Sequence, residues 1–140
     1  MKRRILAAVV VALAAVGAFA LTASADSSNN PKADIQSGNA FCGADVPALP
    51  TIGFTNYHRQ GNTVMVEYHL KNAIPNSVYQ VELWGNFCSF FGVVTTITTN
   101  GRGVANGNGS LTVPAASTRF FATAFGPNGY NDTPAVTLTP

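Results

Sequence analysis

From residue 52 onward, apolar and polar side chains alternate in short runs separated by turn residues. The clearest run is 63–70, where Val64, Val66, Tyr68 and Leu70 alternate with Met65, Glu67 and His69. A period of two sends successive side chains to opposite faces of a strand, so such a run predicts a half-buried β-strand. Similar runs cover 52–57, 79–84, 93–99, 119–125 and 135–139. A further stretch, 102–113, is interrupted by Asn106-Gly107-Asn108-Gly109 and predicts a bulged or broken strand. Turn residues punctuate the runs at Gln60-Gly61-Asn62, Pro75-Asn76, Asn100-Gly101 and Pro127-Asn128-Gly129.

Asn100-Gly101, lying between two strand-like runs, predicts a tight hairpin. A second hairpin is predicted about Gln60-Gly61, in a register that pairs His58 with Thr63 and His69 with Ile52. About seven short strands, with turns every eight to twelve residues or so and no helical period after the N-terminal segment, predict an all-β fold. A single antiparallel β-sandwich is the favoured architecture and a small β-barrel the alternative. Val64, Val66, Tyr68, Leu70, Val81, Leu83, Ile97 and Phe121 are the core candidates.

The N-terminus breaks this pattern. Lys2, Arg3 and Arg4 precede a 17-residue apolar run from Ile5 to Leu21, and Ala23-Ser24-Ala25 follows. Charge, apolar stretch and A-x-A make a cleavable secretory signal peptide over 1–25. The competing reading is an uncleaved anchor, since the run just reaches the lower limit for a span, roughly 17 residues. Gly17 and the well-formed cleavage site favour cleavage, hence a secreted, extracellular protein beginning at Asp26. Residues 26–41 hold Ser27-Ser28-Asn29-Asn30-Pro31 and only Ile35 to pack, and read as a flexible tail or a weak edge strand. The folded domain is then expected over 42–140.

Cleavage changes the charge. The precursor carries +2, but three of its eight basic residues lie in the signal segment. The mature chain keeps Lys32, Arg59, Lys71, Arg102 and Arg119 against six acids, a net charge of −1. Scattered cations provide no basic stripe, so neither nucleic acid nor, after cleavage, a membrane surface is expected as partner.

Cys42 and Cys88 are the only cysteines. In an exported chain a lone pair predicts a structural disulfide. Closing a 47-residue loop, it would contribute about 4 kcal/mol by the chain-entropy relation. The two are far from a C-x-x-C arrangement, and neither has a base or cation beside it, so a reactive thiol pair has no support.

Leu70-Lys71-Asn72-Ala73-Ile74-Pro75-Asn76-Ser77-Val78-Tyr79-Gln80-Val81 resembles a Leu…Pro-Asn…Tyr-x-Val segment of immunoglobulin-like and fibronectin type III-like sandwiches. Thr98-Thr99-Asn100-Gly101-Arg102-Gly103 is similar to a hairpin of exported bacterial domains of that type. The resemblance covers roughly residues 62–113 and implies a β-sandwich with Tyr79 at a sheet corner. It departs from fibronectin type III in that two strands precede the Tyr and about four follow. The same spacing is faintly similar to copper/zinc superoxide dismutase. Where that family has metal-binding histidines, this chain has Gln80, Glu82 and Trp84, so no metal site carries across.

Candidate chemistry is sparse. His58 and His69 fall about six ladder positions apart in the predicted register, roughly 20 Å, too far to share a metal. Glu67 and His69 share a face but make two ligands where structural zinc takes four, and a surface ion pair between them is expected instead. No nucleophile elbow, phosphate loop or zinc-protease motif is present. Six carboxylates allow a glycosidase pair without pointing to one. No catalytic residue, cofactor or metal is therefore assigned, and the chain is read as a non-enzyme.

The exception is Trp84-Gly85-Asn86-Phe87-Cys88-Ser89-Phe90-Phe91-Gly92, which gathers four aromatics around the expected disulfide. They either cover the bridge as part of the core or, with Tyr57 or Tyr130, form an exposed apolar patch. Alternation puts Trp84 on the face opposite Leu83. Trp84, Phe87, Phe90 and Phe91 are thus the candidate binding residues. Three functions follow: binding of an extracellular protein, wall polymer or other polysaccharide, which is favoured; inhibition of an extracellular enzyme through the loop at Cys88; or catalysis at an unrecognised site.

Overall fold

The computed structural model describes residues 30–140, so the predicted signal peptide lies outside the described residues. The fold is an all-β sandwich of eight strands: β1 (Lys32–Gln36), β2 (Thr51–Gln60), β3 (Thr63–Leu70), β4 (Val78–Gly85), β5 (Ser89–Thr98), β6 (Ala105–Thr112), β7 (Arg119–Phe125) and β8 (Val136–Thr137). Two four-stranded sheets, ordered β1-β2-β3-β6 and β5-β4-β7-β8, pack face to face. Every pairing is antiparallel. The sheets do not join into one closed ladder, and the barrel alternative gives way to the sandwich.

The core is built as the alternation dictates. Val64, Val66, Tyr68 and Leu70 of β3 and Tyr79, Val81 and Leu83 of β4 are fully buried, and Ile97 of β5 nearly so. Three tyrosines lie inside, and each hydroxyl has a partner, as burial of a polar group requires. Tyr57 shares a 2.6 Å hydrogen bond with Thr133 Oγ1, Tyr68 donates to Asn131 O at 3.5 Å, and Tyr79 accepts from the Ile74 amide at 3.0 Å. Burial pushes the Tyr57 and Tyr68 hydroxyls well above the usual phenol range, and for Tyr57 the bond to Thr133 only partly opposes it. Arg59 is also buried. Its guanidinium donates only to backbone carbonyls, those of Ala115, Ser117 and Leu138, while Nε reaches Gly61 O at 2.7 Å. It thereby ties β2 to the loop before β7 and to the end of the chain.

Several expectations from the sequence are corrected. The segment read as a flexible tail or a weak edge strand, 26–41, contains an edge strand, β1, so the second of those readings holds and the folded part does not begin at 42. Ile35 there is fully buried, and β1 pairs with β2 from Lys32↔Asn56 to Gln36↔Thr51, so the folded part starts about ten residues before Cys42. One large apolar residue was enough because the strand is an edge and lends only one face to the core.

The β2–β3 hairpin turns on Gly61-Asn62, with Gly61 in the left-handed region (φ 57°). The register is therefore His58↔Met65 and His69↔Phe54, two positions from the expected one. The expected ion pair does not form either: Glu67 accepts from Asn56 Nδ2 at 3.3 Å, and His69 Nδ1 meets Asn106 Oδ1 at 2.8 Å.

Asn100-Gly101 is not a hairpin. β5 and β6 belong to different sheets, and the chain crosses between them here. The Asn100 side chain accepts from the Arg102 and Val104 amides at 2.9 and 3.1 Å, which satisfies the crossing backbone in place of a ladder.

Asn106-Gly107-Asn108-Gly109 does not break its strand. β6 keeps one register against β3 throughout, with the asparagines outward and the glycines inward. A Cβ at Gly107 would come within 2.4 Å of Ile97 Cγ2, and one at Gly109 within 2.5 Å of Val94 O. The glycines let β6 close against β5 at the side of the sandwich.

Candidate functional site

The β4–β5 hairpin ends in a short 3-10 turn, Asn86–Cys88. Phe87 and Cys88 have left-handed backbones (φ 55° and 57°), as does Cys42 (φ 56°). Non-glycine residues adopt that region only when the surroundings hold them there. The hold is covalent: Cys42 and Cys88 form a disulfide with Cα atoms 5.3 Å apart. It fastens the hairpin tip to the loop after β1.

That loop, 37–50, packs through its stretch from Ala40 to Gly43 on the outer face of the second sheet. Buried Asn39 organises it, donating to Gln36 Oε1 (2.8 Å) and Ala44 O (2.9 Å) and accepting from the Phe41 amide (3.0 Å). Backbone bonds from Asp132 N to Asn39 O (3.0 Å) and from Ala135 N to Gly43 O (2.7 Å) dock it on the segment after β7. Gly43, at φ 73°, sits directly on the Phe121 ring, where a Cβ would come within 2.8 Å. Only glycine fits both the backbone and that contact.

Phe121 is therefore buried, as expected, but not in the sandwich core. In β7, Phe120, Ala122 and Ala124 point inward, while Phe121 and Thr123 point outward and are covered by the cysteine loop. With two adjacent phenylalanines on one strand, alternation alone did not say which faces the core.

Between loop and sheet lies a cavity of about 220 Å³, lined by Ala40, Cys42, Trp84, Cys88, Phe121, Thr123, Tyr130 and Asp132. The Trp84 and Phe121 rings are near parallel (13°, centroids 6.2 Å apart), and Phe90 lies against Trp84 at 4.9 Å. The indole Nε1–H donates to Glu82 Oε2 at 3.0 Å. Phe125 and Tyr130 are in ring contact at 4.9 Å. Phe41 (65%), Phe90 (52%), Phe125 (43%) and Tyr130 (44%) are substantially exposed, and Phe87 is wholly so.

The polar side of the cavity is acidic. Asp132 is buried and accepts from Thr123 Oγ1 at 2.7 Å. Burial pushes its carboxyl above the usual carboxylate range. Hydrogen bonds from Thr123 and the Cys42 and Gly43 amides oppose the rise, and nearby Glu82 adds to it. Glu82 pairs with Thr123 across β4 and β7, and Thr123 bridges to Asp132, so the two acids flank one threonine in a row across the sheet.

Of the four candidate residues, Trp84, Phe87 and Phe90 face outward around this cavity. Phe91 does not: its ring packs against Phe120 at 5.8 Å and over Gly85, joining the core. Tyr57 is core as well, whereas Tyr130 lines the cavity. Phe121 was expected in the core and Asp132 was not singled out from sequence; loop docking and ladder register bring both to the cavity, with Glu82 beside them and Phe125 against Tyr130. Among the described residues no three His, Cys, Asp or Glu side chains group as a metal site would require.

The chain matches no protein-family model and no curated protein.

Proposed function

We propose that the protein is an exported, non-catalytic binding module that holds an extracellular polysaccharide on the outer face of its second sheet. One observation carries the reading: most of its exposed rings gather about a single concave, aromatic-floored cavity stapled by the disulfide. Soluble monomers seldom expose large contiguous apolar patches, and those they do expose are commonly interaction sites. Ring faces beside the hydrogen-bonding groups of Thr123 and Asp132 suit the apolar faces and hydroxyls of sugars. Two larger hollows, of about 550 and 520 Å³, have linings that mix polar and apolar groups without such a ring cluster.

Export is supported by the signal pattern over 1–25 and by the disulfide, which belongs to oxidising compartments. Among the described residues no helix is long and apolar enough to cross a membrane. Sedimentation with a panel of insoluble polysaccharides tests the reading: wild type should co-sediment with at least one, and Trp84→Ala and Tyr130→Ala should not.

A second reading, inhibition of an extracellular enzyme, draws on Phe87. This ring projects fully into solvent from a backbone fixed by the disulfide. A rigid aromatic anchor is what a protein partner's pocket accepts at low entropic cost. A protease and glycosidase inhibition panel, with Phe87→Ala as control, tests it.

A further inference from the structure

The lining of the cavity narrows the class of saccharide. About 220 Å³ is below the range of drug-sized pockets, roughly 300–1,000 Å³, and accommodates a single ring or head group. Three aromatic rings, from Trp84, Phe121 and Tyr130, meet one buried carboxylate, Asp132. Among the described residues no lysine, arginine or histidine lines the cavity. The groups acting on Asp132 are a hydroxyl, two backbone amides and a second acid, Glu82, and none is a cation. Buried charges are ordinarily paired, and this one has only dipoles. A neutral sugar would leave it so. An ammonium would supply the missing charge and would also be attracted to the indole face.

We infer that the cavity binds an amino sugar, its protonated amine on the Asp132 carboxylate and its ring against Trp84 and Tyr130. The inference rests on the saccharide reading of the aromatic face and adds the charge of the ligand. Burial raises the Asp132 carboxyl above its ordinary range, and a bound cation would bring it back down.

The test uses two oligosaccharides of one β-1,4 backbone, glucosamine and glucose, which differ at C2 by ammonium against hydroxyl. Trp84 is the only tryptophan, so intrinsic fluorescence reports this cavity alone. At mildly acidic pH, below the pKa of the sugar amine so that it is an ammonium, the glucosamine oligomer should quench Trp84 saturably, with a Kd at least about tenfold below that of the glucose oligomer, equivalent to about 1.4 kcal/mol. Asp132→Asn, isosteric and neutral, should abolish that preference. In wild-type protein, the Asp132 carboxyl followed by NMR should titrate lower with glucosamine oligomer bound than with glucose oligomer bound. Equal Kd values, a preference that survives Asp132→Asn, or an unchanged Asp132 midpoint would each overturn the amino-sugar assignment while leaving the saccharide reading standing. If neither oligomer quenches Trp84 and no polysaccharide retains the protein, both fall.

Discussion

Each sheet of the sandwich turns aromatic rings outward, and the two cover them differently. On the first sheet, Phe54 is the ring in question. His69 stacks on it at 4.5 Å, and the Lys32 and Lys71 ammonium groups lie 4.1 and 5.0 Å from its centroid. Long cationic side chains shield the ring and keep their charged ends in water. On the second sheet, Trp84 lies between Phe90, which stays half exposed, and Phe121, which the cysteine loop covers, and among the described residues no cation lines the cavity. The first arrangement finishes a surface. The second leaves a hollow with apolar walls and an unneutralised acid. Exposure alone does not mark a site; what the neighbours leave uncovered does.

The largest effect that should separate the two faces comes from the disulfide. Cys42→Ser with Cys88→Ser should cost about 4 kcal/mol by the chain-entropy relation. It should also free the loop over Phe121, so that Trp84 fluorescence shifts while the Phe54 face is unchanged. Denaturant melts and emission spectra measure both, and an unshifted Trp84 would mean that the loop docks without its staple.

Phe91→Ala comes next. Its ring fills core space against Phe120, and truncation should cost about 3 kcal/mol, the lower end of the range for buried phenylalanine because the ring is only partly buried. A loss below about 0.5 kcal/mol in a urea melt, the range of an exposed position, would put Phe91 with the surface rings.

A pH dependence distinguishes the acidic face from the cationic one. Asp132 has a raised carboxyl pKa in the fold, so between the unfolded value, about 3.9, and the native one the folded state holds a proton that the unfolded state has released. Stability contributed by the protonated form is complete below the unfolded value and is lost as pH rises through the native one. Asp132→Asn should flatten that fall, as seen in melting temperature against pH relative to wild type. Parallel profiles for the two proteins would contradict the raised value.

The smallest changes are expected at the surface. Lys71→Ala should cost no more than about 1 kcal/mol, the scale of an exposed cation–π contact. Phe87→Ala should leave stability within about 0.5 kcal/mol, since the ring touches solvent all round. A larger drop in melting temperature for Phe87→Ala would show that the ring is structural and would remove the basis of the inhibitor reading.

Much of the fold was legible in the sequence and little of the site. Val64 to Leu70 and Tyr79 to Leu83 alternate over enough residues that one register of burial satisfies all of them, and the core positions follow. The inward glycines of β6 misled, because small residues chosen for close packing look like residues chosen for a turn. Asn100-Gly101 misled for a related reason: a turn motif reports local backbone geometry and does not say whether the next strand joins the same sheet. At the site, Trp84 was legible as outward from its place opposite Leu83. Phe90 and Phe91 were not separable, because register shifts in the β4–β5 ladder intervene between that alternation and the hairpin tip.

The sequence by itself determined most of the strands, the inner faces of β3 and β4 and the pairing of the two cysteines, because these depend on period, composition and the absence of any other partner. Only the tertiary structure decided that Phe121 lies under a loop and not in the core, that Asp132 stands beside Trp84, and that Glu82, Thr123 and Asp132 form one row. Glu82 and Thr123 are 41 positions apart in sequence, and Trp84 and Asp132 are 48 apart. Local pattern carries no information about such distances in space; cross-strand pairing and the docking of the disulfide-bound loop create them.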